Sequence, residues 1–523
     1  MGSERGHRDG SSGRLSDAPA EIGAGRAMVA GVVAAAVGLA ASEVPATFGT
    51  SRQSLLSGLA ARFVDHLPQS LVSWAIGTFG QHDKRVLLLS MVVVALLAGA
   101  GAGWLARRHF HGVSAGTAAV ALVAAWAAAG HPQLGTATAL GSAALAAVVA
   151  LVVLQRLLRP SVAHDGPTAG AVLSRRALAA RAGAWALAAV VLRAVTDRLI
   201  ATAVEAPATL LARLGGGGGA APPPGADLGV PGAPSFLTPV TDFYRVDTAV
   251  RVPFVDLSSW RLRIGGLAGN PFALSYDDLL ALPFVEEVIT LVCVSNEPGG
   301  ELAGTARWSG VPLSSLLDRA RPHGTATQVL ARSVDGFSAG FPLDHLAGRP
   351  ALVALAMNGE PLPAVHGFPA RLVVADLYGY ASATKWLSDV ELTDWESRSY
   401  WVERGWAREA PVRTMSRIDV PRHAELLAPG PAVAAGVAWA TGRGISRVEV
   451  QVDGGPWIEA ELGSTPSSHT WVQWWARWEA TEGVRHLRVR ATDGAGEPQT
   501  ERRQLAKPRG ASGLHTRIVR VRG

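Results

Sequence analysis

The feature that most constrains this chain is a long stretch, His109–Gln155, that contains no Asp, Glu, Lys or Arg. A helix needs about 20 apolar residues to cross a bilayer, so this stretch is long enough for two spans. The turn-forming residues His131–Gly135 predict the break between them. Two uncharged runs, Ala27–Ser42 and Val86–Ala106, precede it, and a weaker apolar segment follows at about Ala177–Val195. The pattern predicts an N-terminal all-α transmembrane bundle of about five spans.

Composition indicates that the apolar residues are concentrated in one part of the chain. Of the 523 residues, 48% are hydrophobic and 17% are charged, whereas a soluble domain carries about 25% charged residues. The single cysteine excludes an intramolecular disulfide framework and a zinc site built from cysteines. The net charge of +6 is not gathered into a basic tract or a nucleic-acid motif. We therefore expect a lipid bilayer as a partner and no nucleic acid.

Positive charges flank the apolar runs on alternate sides. Arginines precede the first run, follow the second, and separate the fourth from the fifth, whereas the hairpin His131–Gly135 has none. The positive-inside rule then predicts a cytoplasmic N-terminus and, after five spans, an extracytoplasmic C-terminal half. Lys84 and Arg85 are exceptions, because they fall on the predicted outer side. The segment Phe63–Gly80 stays open: it is either an interfacial helix or an additional span that would reverse the orientation.

The start of the fifth apolar segment resembles an export signal. Ser174–Leu178 reads Ser-Arg-Arg-Ala-Leu, which is similar to the twin-arginine pattern of proteins that are exported in a folded state. The alternative is an ordinary pair of positive-inside arginines. Further along, Gly215–Gly219 and Pro222–Pro224 predict a linker that is flexible and then stiff.

Five regions are predicted along the chain: a disordered tail at 1–26, a transmembrane region at 27–200, a Gly/Pro linker at 201–235, a mixed α+β domain at 236–420 and a β-sandwich at 421–523. In the fourth region, short apolar strands such as Ala351–Met357 and Arg371–Val374 alternate with short helices such as Tyr276–Ala281. In the fifth region helix signals nearly vanish, and the spacing of strands and turns predicts an immunoglobulin-like fold.

Cys293 lies where an apolar strand ends and a Pro/Gly loop begins, in the sequence Leu-Val-Cys-Val-Ser-Asn-Glu-Pro-Gly-Gly. A thiolate at the end of a strand can be approached by a metal or a ligand. A single cysteine is, however, more often a small buried hydrophobe. This motif alone leaves both interpretations open.

Four sequence motifs, which follow one another along the chain, favour the interpretation of Cys293 as a metal ligand. They are Phe243–Arg245, the Cys293 loop with Ala306–Leu313 after it, Met357–Arg371 and Tyr378–Leu387. This series resembles the sulfite oxidase family of molybdopterin-dependent oxidoreductases from about Phe236 to the C-terminus, and the membrane half resembles polytopic actinobacterial versions of that family. The resemblance implies a molybdopterin-binding catalytic domain at 236–420 and a dimerisation-type immunoglobulin-like domain at 421–523.

The resemblance implies one molybdopterin per molybdenum, with Cys293 as the protein's metal ligand. It assigns the other cofactor contacts to Thr241, Tyr244, Arg245, Asp335, His366, Arg371, Ala383, Thr384 and Lys385. Cations and backbone amides there suit a dianionic phosphate. Arg245 and Tyr400 are further catalytic candidates, the first to steer an anion and the second to donate a proton. Structural roles stay open: an ion pair for Arg371, a turn cap for His366 and the core for Tyr244.

The chain also departs from the family pattern. Sulfite-oxidising members carry Cys-x-Gly-Asn-Arg-Arg, but residues 293–298 here read Cys-Val-Ser-Asn-Glu-Pro. The arginine pair that attracts sulfite is missing, and Glu297 reverses the charge. Asp247 replaces a histidine of the pattern Phe-x-Arg-x-His, and Ala375-Asp376 replaces a Pro-Gly. These departures argue against sulfite itself and leave four candidates for the substrate pocket: Arg245, Trp308, Tyr400 and Arg417.

We therefore expect a multi-pass membrane protein whose extracytoplasmic domain transfers an oxygen atom to or from a small-molecule substrate. No haem is expected in this chain, because the histidines of the membrane half do not pair within spans, so a separate electron-transfer partner (a cytochrome or a quinone-linked protein) is implied. The resemblance also suggests a homodimer. The alternative is a non-catalytic exported binding or scaffold module on the same fold. A transporter is disfavoured, because the spans carry almost no charge.

Overall fold

The computed structural model describes residues 23–48, 53–68, 71, 74–75, 78–79, 83–159, 175–201, 210 and 221–523. The chain divides into two compact units. The first contains the described residues up to Thr47 together with Leu87–Trp126 and Thr136–Arg198. The second contains the described residues of Phe48–Val86, Ala127–Gly135 and Leu199–Gly523. Two segments that connect long helices, 48–86 and 127–135, therefore belong to the same unit as the C-terminal part of the chain.

The N-terminal part of the chain is helical. Its helices are α1 (Ala24–Ser42), α2 (Val44–Phe48), α3 (Leu55–His66), α4 (Asp83–Ala129), α5 (Thr136–Leu158) and α6 (Arg175–Ala201). By length and composition, three helical stretches are long and apolar enough to cross a membrane: α1 with α2, α4 and α5. Helix α6 contains a shorter apolar run, Ala179–Leu192. The structure describes only part of the segment Phe63–Gly80. Helix α3, which overlaps the start of this segment, has 12 residues and is shorter than a span.

Helix α4 is 47 residues long and has non-helical backbone angles at His109 (φ −133°, ψ 53°). A straight helix of this length would extend for roughly 70 Å, about twice the thickness of a hydrocarbon core. The irregularity at His109 divides α4 into two limbs that correspond to the second and third predicted spans. Arg107 and Arg108 lie directly before this junction, where the sequence predicted a break, and the backbone departs from helical angles there.

Two helices of the first unit meet through glycine. A Cβ atom on Gly31 of α1 would lie 2.0 Å from the carbonyl oxygen of Gly99, and one on Gly103 would lie 2.1 Å from the carbonyl oxygen of Ala27. The backbones of α1 and α4 are thus in direct contact. Apolar helices without a strong hydrophobic driving force associate through small residues in this way.

We expect Gly103→Val to destabilise this helix pair, because its side chain has no room beside Ala27. Overpacking of this kind costs about 1–3 kcal/mol. Gly101→Val is the matched control: it lies on the same helix, and no atom lies within 4 Å of its Cβ position. Thermal unfolding of the full chain in detergent, followed by helical circular dichroism, should show a lower midpoint for Gly103→Val alone. Equal midpoints for the two variants would contradict the packing.

From Leu262 onward, the second unit contains eleven strands before its C-terminal part. They are β1 (Leu262–Gly266), β2 (Phe272–Leu274), β3 (Val285–Val292), β4 (Ala303–Pro312), β5 (Gln328–Ser333), β6 (Ser338–Pro342), β7 (Ala351–Met357), β8 (Glu360–Pro361), β9 (Arg371–Val374), β10 (Ala383–Thr384) and β11 (Leu387–Thr393). One sheet has the order β2-β1-β11-β5-β6 and the other β10-β9-β7-β4-β3, with β8 paired to β7. All neighbours are antiparallel except β1 and β11. Helices α7 (Tyr276–Ala281), α8 (Leu313–Ala320), α9 (Gly379–Ser382) and α10 (Tyr400–Glu403) intervene.

The predicted strands Ala351–Met357 and Arg371–Val374 coincide with β7 and β9, and the predicted helix Tyr276–Ala281 coincides with α7. The local reasons are visible. Both strands are almost fully buried, and apart from Arg371 at the start of β9 their residues are all apolar, as those of central strands in a covered sheet are. Helix α7 begins with a capping box, in which Ser275 and Asp278 satisfy each other's backbone N–H groups.

The C-terminal part of the chain consists of two further sheets. Its strands are β12 (Met415–Val420), β13 (Leu426–Leu427), β14 (Gly430–Trp439), β15 (Ile445–Val452), β16 (Trp457–Glu459), β17 (Glu461–Leu462), β18 (Val472–Ala480), β19 (Gly483–Asp493) and β20 (His515–Val521). The sheets have the orders β12-β14-β18-β17 and β13-β20-β19-β15-β16. They share one core, to which Trp474 contributes from the first sheet and Val489 from the second. Strand β12 belongs to this part by its pairing with β14, although it precedes residue 421.

Candidate functional site

Cys293 begins the loop that connects β3 to β4. Its backbone N–H donates to the carbonyl oxygen of Leu302 (2.9 Å), and its carbonyl oxygen accepts from the N–H of Asn296 (3.0 Å). The side chain of Asn296 accepts from the N–H of Leu302 (2.8 Å), which closes the loop. The Cys293 side chain is buried, and burial raises the pKa of its thiol. A metal bound there would displace the thiol proton.

The loop after Cys293 is held by two strands of the C-terminal sheets. Arg417 of β12 donates from Nη1 to the carbonyl oxygen of Gly300 (2.9 Å). Gly299 has φ +83°, and a Cβ atom there would lie 2.3 Å from the ring of His515 of β20. His515 in turn accepts from the N–H of Ile418 at Nδ1 (2.9 Å). The buried side chain of Arg417 therefore helps to hold the loop in position through its hydrogen bond to Gly300.

Arg371, the first residue of β9, is a buried cation beside this loop. Its guanidinium lies 4.9 Å from the centroid of the Trp308 ring, and Nη1 donates to the carbonyl oxygen of His366 (3.3 Å). Its Nε is buried and has no hydrogen-bond partner among the described residues. Burial lowers the pKa of Arg371 to about 10, so the side chain stays charged at neutral pH. A buried charge with unmet donors is costly and indicates a site for an anion.

Lys385 and Lys84 share one carboxylate. The Nζ of Lys385 lies 2.5 Å from Oδ2 of Asp247, and Lys84 forms an ion pair with Oδ1 of the same side chain. Burial alone would raise the pKa of Asp247, but the two ammonium groups outweigh it and lower the pKa to about 2. Burial lowers the pKa of Lys385 to about 8, against the opposing effect of Asp247. With two ammonium groups and one carboxylate, the cluster carries a formal net charge of +1.

Tyr244 and His366 complete the cluster around Phe243. The ring of Tyr244 stacks on Phe243 (centroids 5.2 Å apart), and His366 lies edge-on to it (5.9 Å). Burial and the neighbouring Cys293 raise the pKa of Tyr244, which is therefore a neutral phenol. Burial and then Arg371 lower the pKa of His366 to about 4, so its imidazole is neutral. Nε2 of His366 lies 2.9 Å from the carbonyl oxygen of Val240, so Nε2 carries the proton and Nδ1 is the acceptor.

The short strand β10 lies at the edge of the cluster. Ala383 pairs with Val373 and Thr384 with Leu372 of β9, which brings Lys385 beside the turn at Gly367. Gly367 has φ +119°, and a Cβ atom there would lie 3.0 Å from the Cα of Lys385, so only glycine fits the turn. The hydroxyl of Thr384 is buried and has no hydrogen-bond partner within the described part of the chain.

Two sequence candidates lie in a second group. The hydroxyl of Tyr400 donates to Oδ1 of Asp65 (3.2 Å), and the guanidinium of Arg404 lies 3.5 Å from the centre of its ring. Asp335 lies in the turn from β5 to β6, where it accepts from the N–H of Phe337 (3.1 Å). The Phe337 and Tyr400 rings are 5.8 Å apart and join these residues. Burial raises the pKa of Tyr400 to about 12, so its phenol can only donate a proton at neutral pH.

The remaining candidates differ in exposure. Arg245 and Thr241 are exposed to solvent, and the Thr241 hydroxyl donates to the Asp242 carboxylate (3.0 Å). Trp308 is fully buried, and the face of its ring packs against the guanidinium of Arg371. Sequence reasoning missed the roles of Lys84 and Asp247. Sequence features that could have indicated these roles were present. Lys84 is a rare lysine in an arginine-rich chain, and it lies on the predicted outer side, where the positive-inside rule does not expect a cation. Asp247 replaces a histidine of the family pattern.

Comparisons with known proteins match the part of the chain that contains Cys293, Arg371 and Lys385. The model of the "Oxidoreductase molybdopterin binding domain" matches residues 249–401. Mitochondrial sulfite oxidase of Rattus norvegicus is 32% identical over 292 residues, which cover 47% of this chain and 53% of the relative. The "Uncharacterized oxidoreductase YuiH" of Bacillus subtilis is 32% identical over 160 residues, 30% of this chain and 76% of the relative. The solved structure of the sulfane dehydrogenase SoxCD from Paracoccus pantotrophus aligns with 55% of this chain and 84% of that chain at a TM-score of 0.48 and 24% identity.

The matched domain and its site define a molybdopterin-binding oxidoreductase domain. The chain belongs to the sulfite oxidase family of molybdopterin-dependent oxidoreductases, as the resemblance implied. The comparisons support the predicted molybdenum–molybdopterin cofactor. No haem domain is evident in the part of the chain that the structure describes. The chain spans about half the length of the mammalian sulfite oxidases that it matches.

The residues present fit this cofactor. Arg371 has a buried donor without a partner, Thr384 has a buried hydroxyl without one, and the Lys84–Asp247–Lys385 cluster has a net charge of +1. Such donors and charges suit a phosphate group. The buried thiol of Cys293 is a soft donor, which suits a sulfur-rich metal centre.

Proposed function

We propose that the chain is a membrane-anchored molybdenum-dependent oxidoreductase that carries out oxygen-atom transfer at a centre ligated by Cys293, on the outer face of the membrane. The observation that carries this proposal is that the matched domain contains one buried thiol, Cys293, and two buried cations, Arg371 and Lys385. Tyr244 interacts electrostatically with both Cys293 and Arg371, and Arg371 interacts with Lys385. When bound, the cofactor supplies the oxygen-transfer and electron chemistry. The protein supplies the ligand, the charge of the site and the shape of the pocket.

Each residue of the cluster has a separate task in this proposal. Cys293 holds the metal as a thiolate. Arg371 and Lys385 bind the anionic part of the pterin, and Thr384 donates or accepts one further hydrogen bond. His366 offers Nδ1 as an acceptor for a ring N–H, because its Nε2 proton is engaged by Val240.

Tyr244 and Arg245 are given roles toward the substrate in this proposal. Tyr244 remains a neutral phenol beside Cys293 and can donate a hydrogen bond to a polar group there. Arg245 is exposed, and its charge can attract an anion to the site. These roles, and those of Thr241, Asp335, Ala383 and Tyr400, remain proposals.

The loop after Cys293 favours a substrate other than sulfite. Glu297 is exposed and lies 3.6 Å from Arg503, so its carboxylate is at the surface of this loop. The loop therefore carries a carboxylate, paired with Arg503, at the position where sulfite-oxidising members are expected to carry an arginine. We propose a small-molecule substrate with less negative charge than sulfite, in either direction of oxygen transfer.

The orientation of the proposed anchor is supported by contacts within the second unit. Gln53 donates from Nε2 to Oε1 of Gln133 (3.0 Å) and lies 3.5 Å from the carbonyl oxygen of Arg251. The segments 48–86 and 127–135 therefore belong to the same unit as the oxidoreductase domain, whereas Arg107 and Arg108 belong to the first unit. With the positive-inside rule, this favours five spans and an extracytoplasmic domain.

Export and partners complete the proposal. Helix α6 begins at Arg175, the first arginine of the twin-arginine motif, whereas Ser174 lies outside the described residues. Export of a domain already folded around its cofactor agrees with a buried site of this kind. Because no haem domain is evident in the described chain, we propose a separate cytochrome or quinone-linked electron partner, and a homodimer through the C-terminal sheets.

The metal and pterin content of the purified full-length protein tests the proposal. We expect about one molybdenum and one pterin per chain, measured by elemental mass spectrometry and by fluorescence of the oxidised pterin. Absence of both, from a host that loads other molybdopterin enzymes, would overturn it and favour a non-catalytic module.

A further inference from the structure

Lys84 is the second residue of α4, at the start of a long apolar helix, yet its side chain is directed to the oxidoreductase domain. Its ammonium group donates to Oδ1 and to the carbonyl oxygen of Asp247, and to the carbonyl oxygen of Ala249 (2.8 Å). An ammonium group has three donors, so all of them are engaged. The Lys84 side chain is 29% exposed, and those of Asp247 and Lys385 are 9% exposed.

The charges of this cluster determine whether it can hold an anion. Asp247 gives one carboxylate oxygen to each lysine. If Lys84 were absent, Asp247 and Lys385 would form a neutral pair, and Lys385 would attract an anion only weakly. With Lys84 in place, the three groups carry one positive charge, and the carboxylate is fixed at two points. Both effects favour an anion at Lys385.

We infer that Lys84 is a positioning residue for the phosphate-binding site: it engages Asp247, and thereby leaves Lys385 with positive charge for the cofactor's phosphate. The inference rests on the proposed cofactor site. It assigns a function to a residue far upstream of the oxidoreductase domain, because Lys84 and Asp247 are 163 positions apart in the sequence. It also accounts for the lysine at this position, because its charge is paired and does not act as a topology signal.

The first test compares the rate at which pterin is lost from purified full-length variants. We expect Lys84→Met to lose pterin on the order of ten-fold faster than the wild type, because Asp247 then neutralises Lys385. Asp247→Asn should retain pterin, and the double variant Lys84→Met/Asp247→Asn should recover most of the loss. Arg85→Met is the matched control, since it removes the same charge from the adjacent, exposed position.

Two outcomes of this test would overturn the inference. One is a rate for Lys84→Met that equals that of Arg85→Met. The other is fast loss in Lys84→Met that the second substitution does not correct, because that result would mean that Lys84 only supports the fold.

A second test does not require the cofactor. The full chain is produced in a host unable to make molybdopterin, and inorganic phosphate is added during thermal unfolding. Phosphate should raise the unfolding midpoint of the wild type, Arg85→Met and the double variant, but not of Lys84→Met. A wild type that holds no pterin but responds to phosphate in this pattern would refute the proposed function and retain the inference. No response of the wild type to phosphate would overturn the inference itself.

Discussion

Cys293→Ser is expected to lower turnover by at least about 100-fold while most of the pterin stays bound. Serine presents a hard oxygen in place of a soft sulfur, and even the residues that support a metal ligand change activity by about 10- to 100-fold when lost. The pterin is held by other side chains, above all Arg371 and Lys385, so it should remain. Turnover with any substrate that the wild type accepts, beside pterin fluorescence, measures both quantities.

A neighbouring substitution separates ligand loss from damage to the loop. Val294→Ala shortens the next side chain, which is buried in the adjoining apolar cluster, without removing sulfur. We expect this variant to lose stability by up to about 1.5 kcal/mol and to keep its turnover within a few-fold. If Cys293→Ser kept wild-type turnover, Cys293 would be a buried hydrophobe and not a ligand.

Arg371→Met is the second substitution with a large expected effect, and its effects should have opposite signs in the two forms of the protein. Methionine keeps an apolar stem against Trp308 but removes the charge. Hydrogen bonds to charged groups contribute about 1.5–3 kcal/mol, so pterin binding should weaken by about 10- to 150-fold. The cofactor-free protein should be as stable as the wild type or more stable, because a buried charge without an ion-pair partner is removed.

The control for this variant is Arg332→Met. Arg332 lies at the surface, where it pairs with Glu391 at 3.1 Å, and such a pair is worth about 0–1 kcal/mol. It should change neither pterin content nor stability by much. A cofactor-free Arg371→Met protein that unfolds at a lower temperature and keeps its pterin would show that Arg371 supports the fold and not the cofactor.

The parts of this structure that sequence predicted well are those set by local patterns. Strand β9 follows from its four buried positions after Pro369-Ala370, of which the last three are apolar, and α7 follows from the capping box of Ser275 and Asp278. The blocks of the family pattern also brought Cys293, His366, Arg371 and Lys385 into one prediction. The structure places His366 against Phe243 and Arg371 against Trp308, and it pairs Lys385 with Asp247. Their individual roles remain predictions.

What local patterns could not give depends on residues that only the fold brings together. The Lys84–Asp247 ion pair joins residues from distant parts of the chain, so no spacing in the sequence announces it. Tyr400 was grouped with the metal site by analogy alone, but its hydroxyl bonds Asp65 of α3, a segment before the domain. The irregularity of α4 at His109, in contrast, falls next to Arg107 and Arg108, where a charged pair between two apolar runs predicted a break.

The central claim is that Cys293 is a ligand of molybdenum in this chain. X-ray absorption at the molybdenum edge, on the purified wild type and on Cys293→Ser, tests it most directly. We expect three sulfur neighbours in the wild type, two from one pterin and one from Cys293, and one fewer in the variant. The same sulfur count in both proteins, with molybdenum still bound, would contradict the claim.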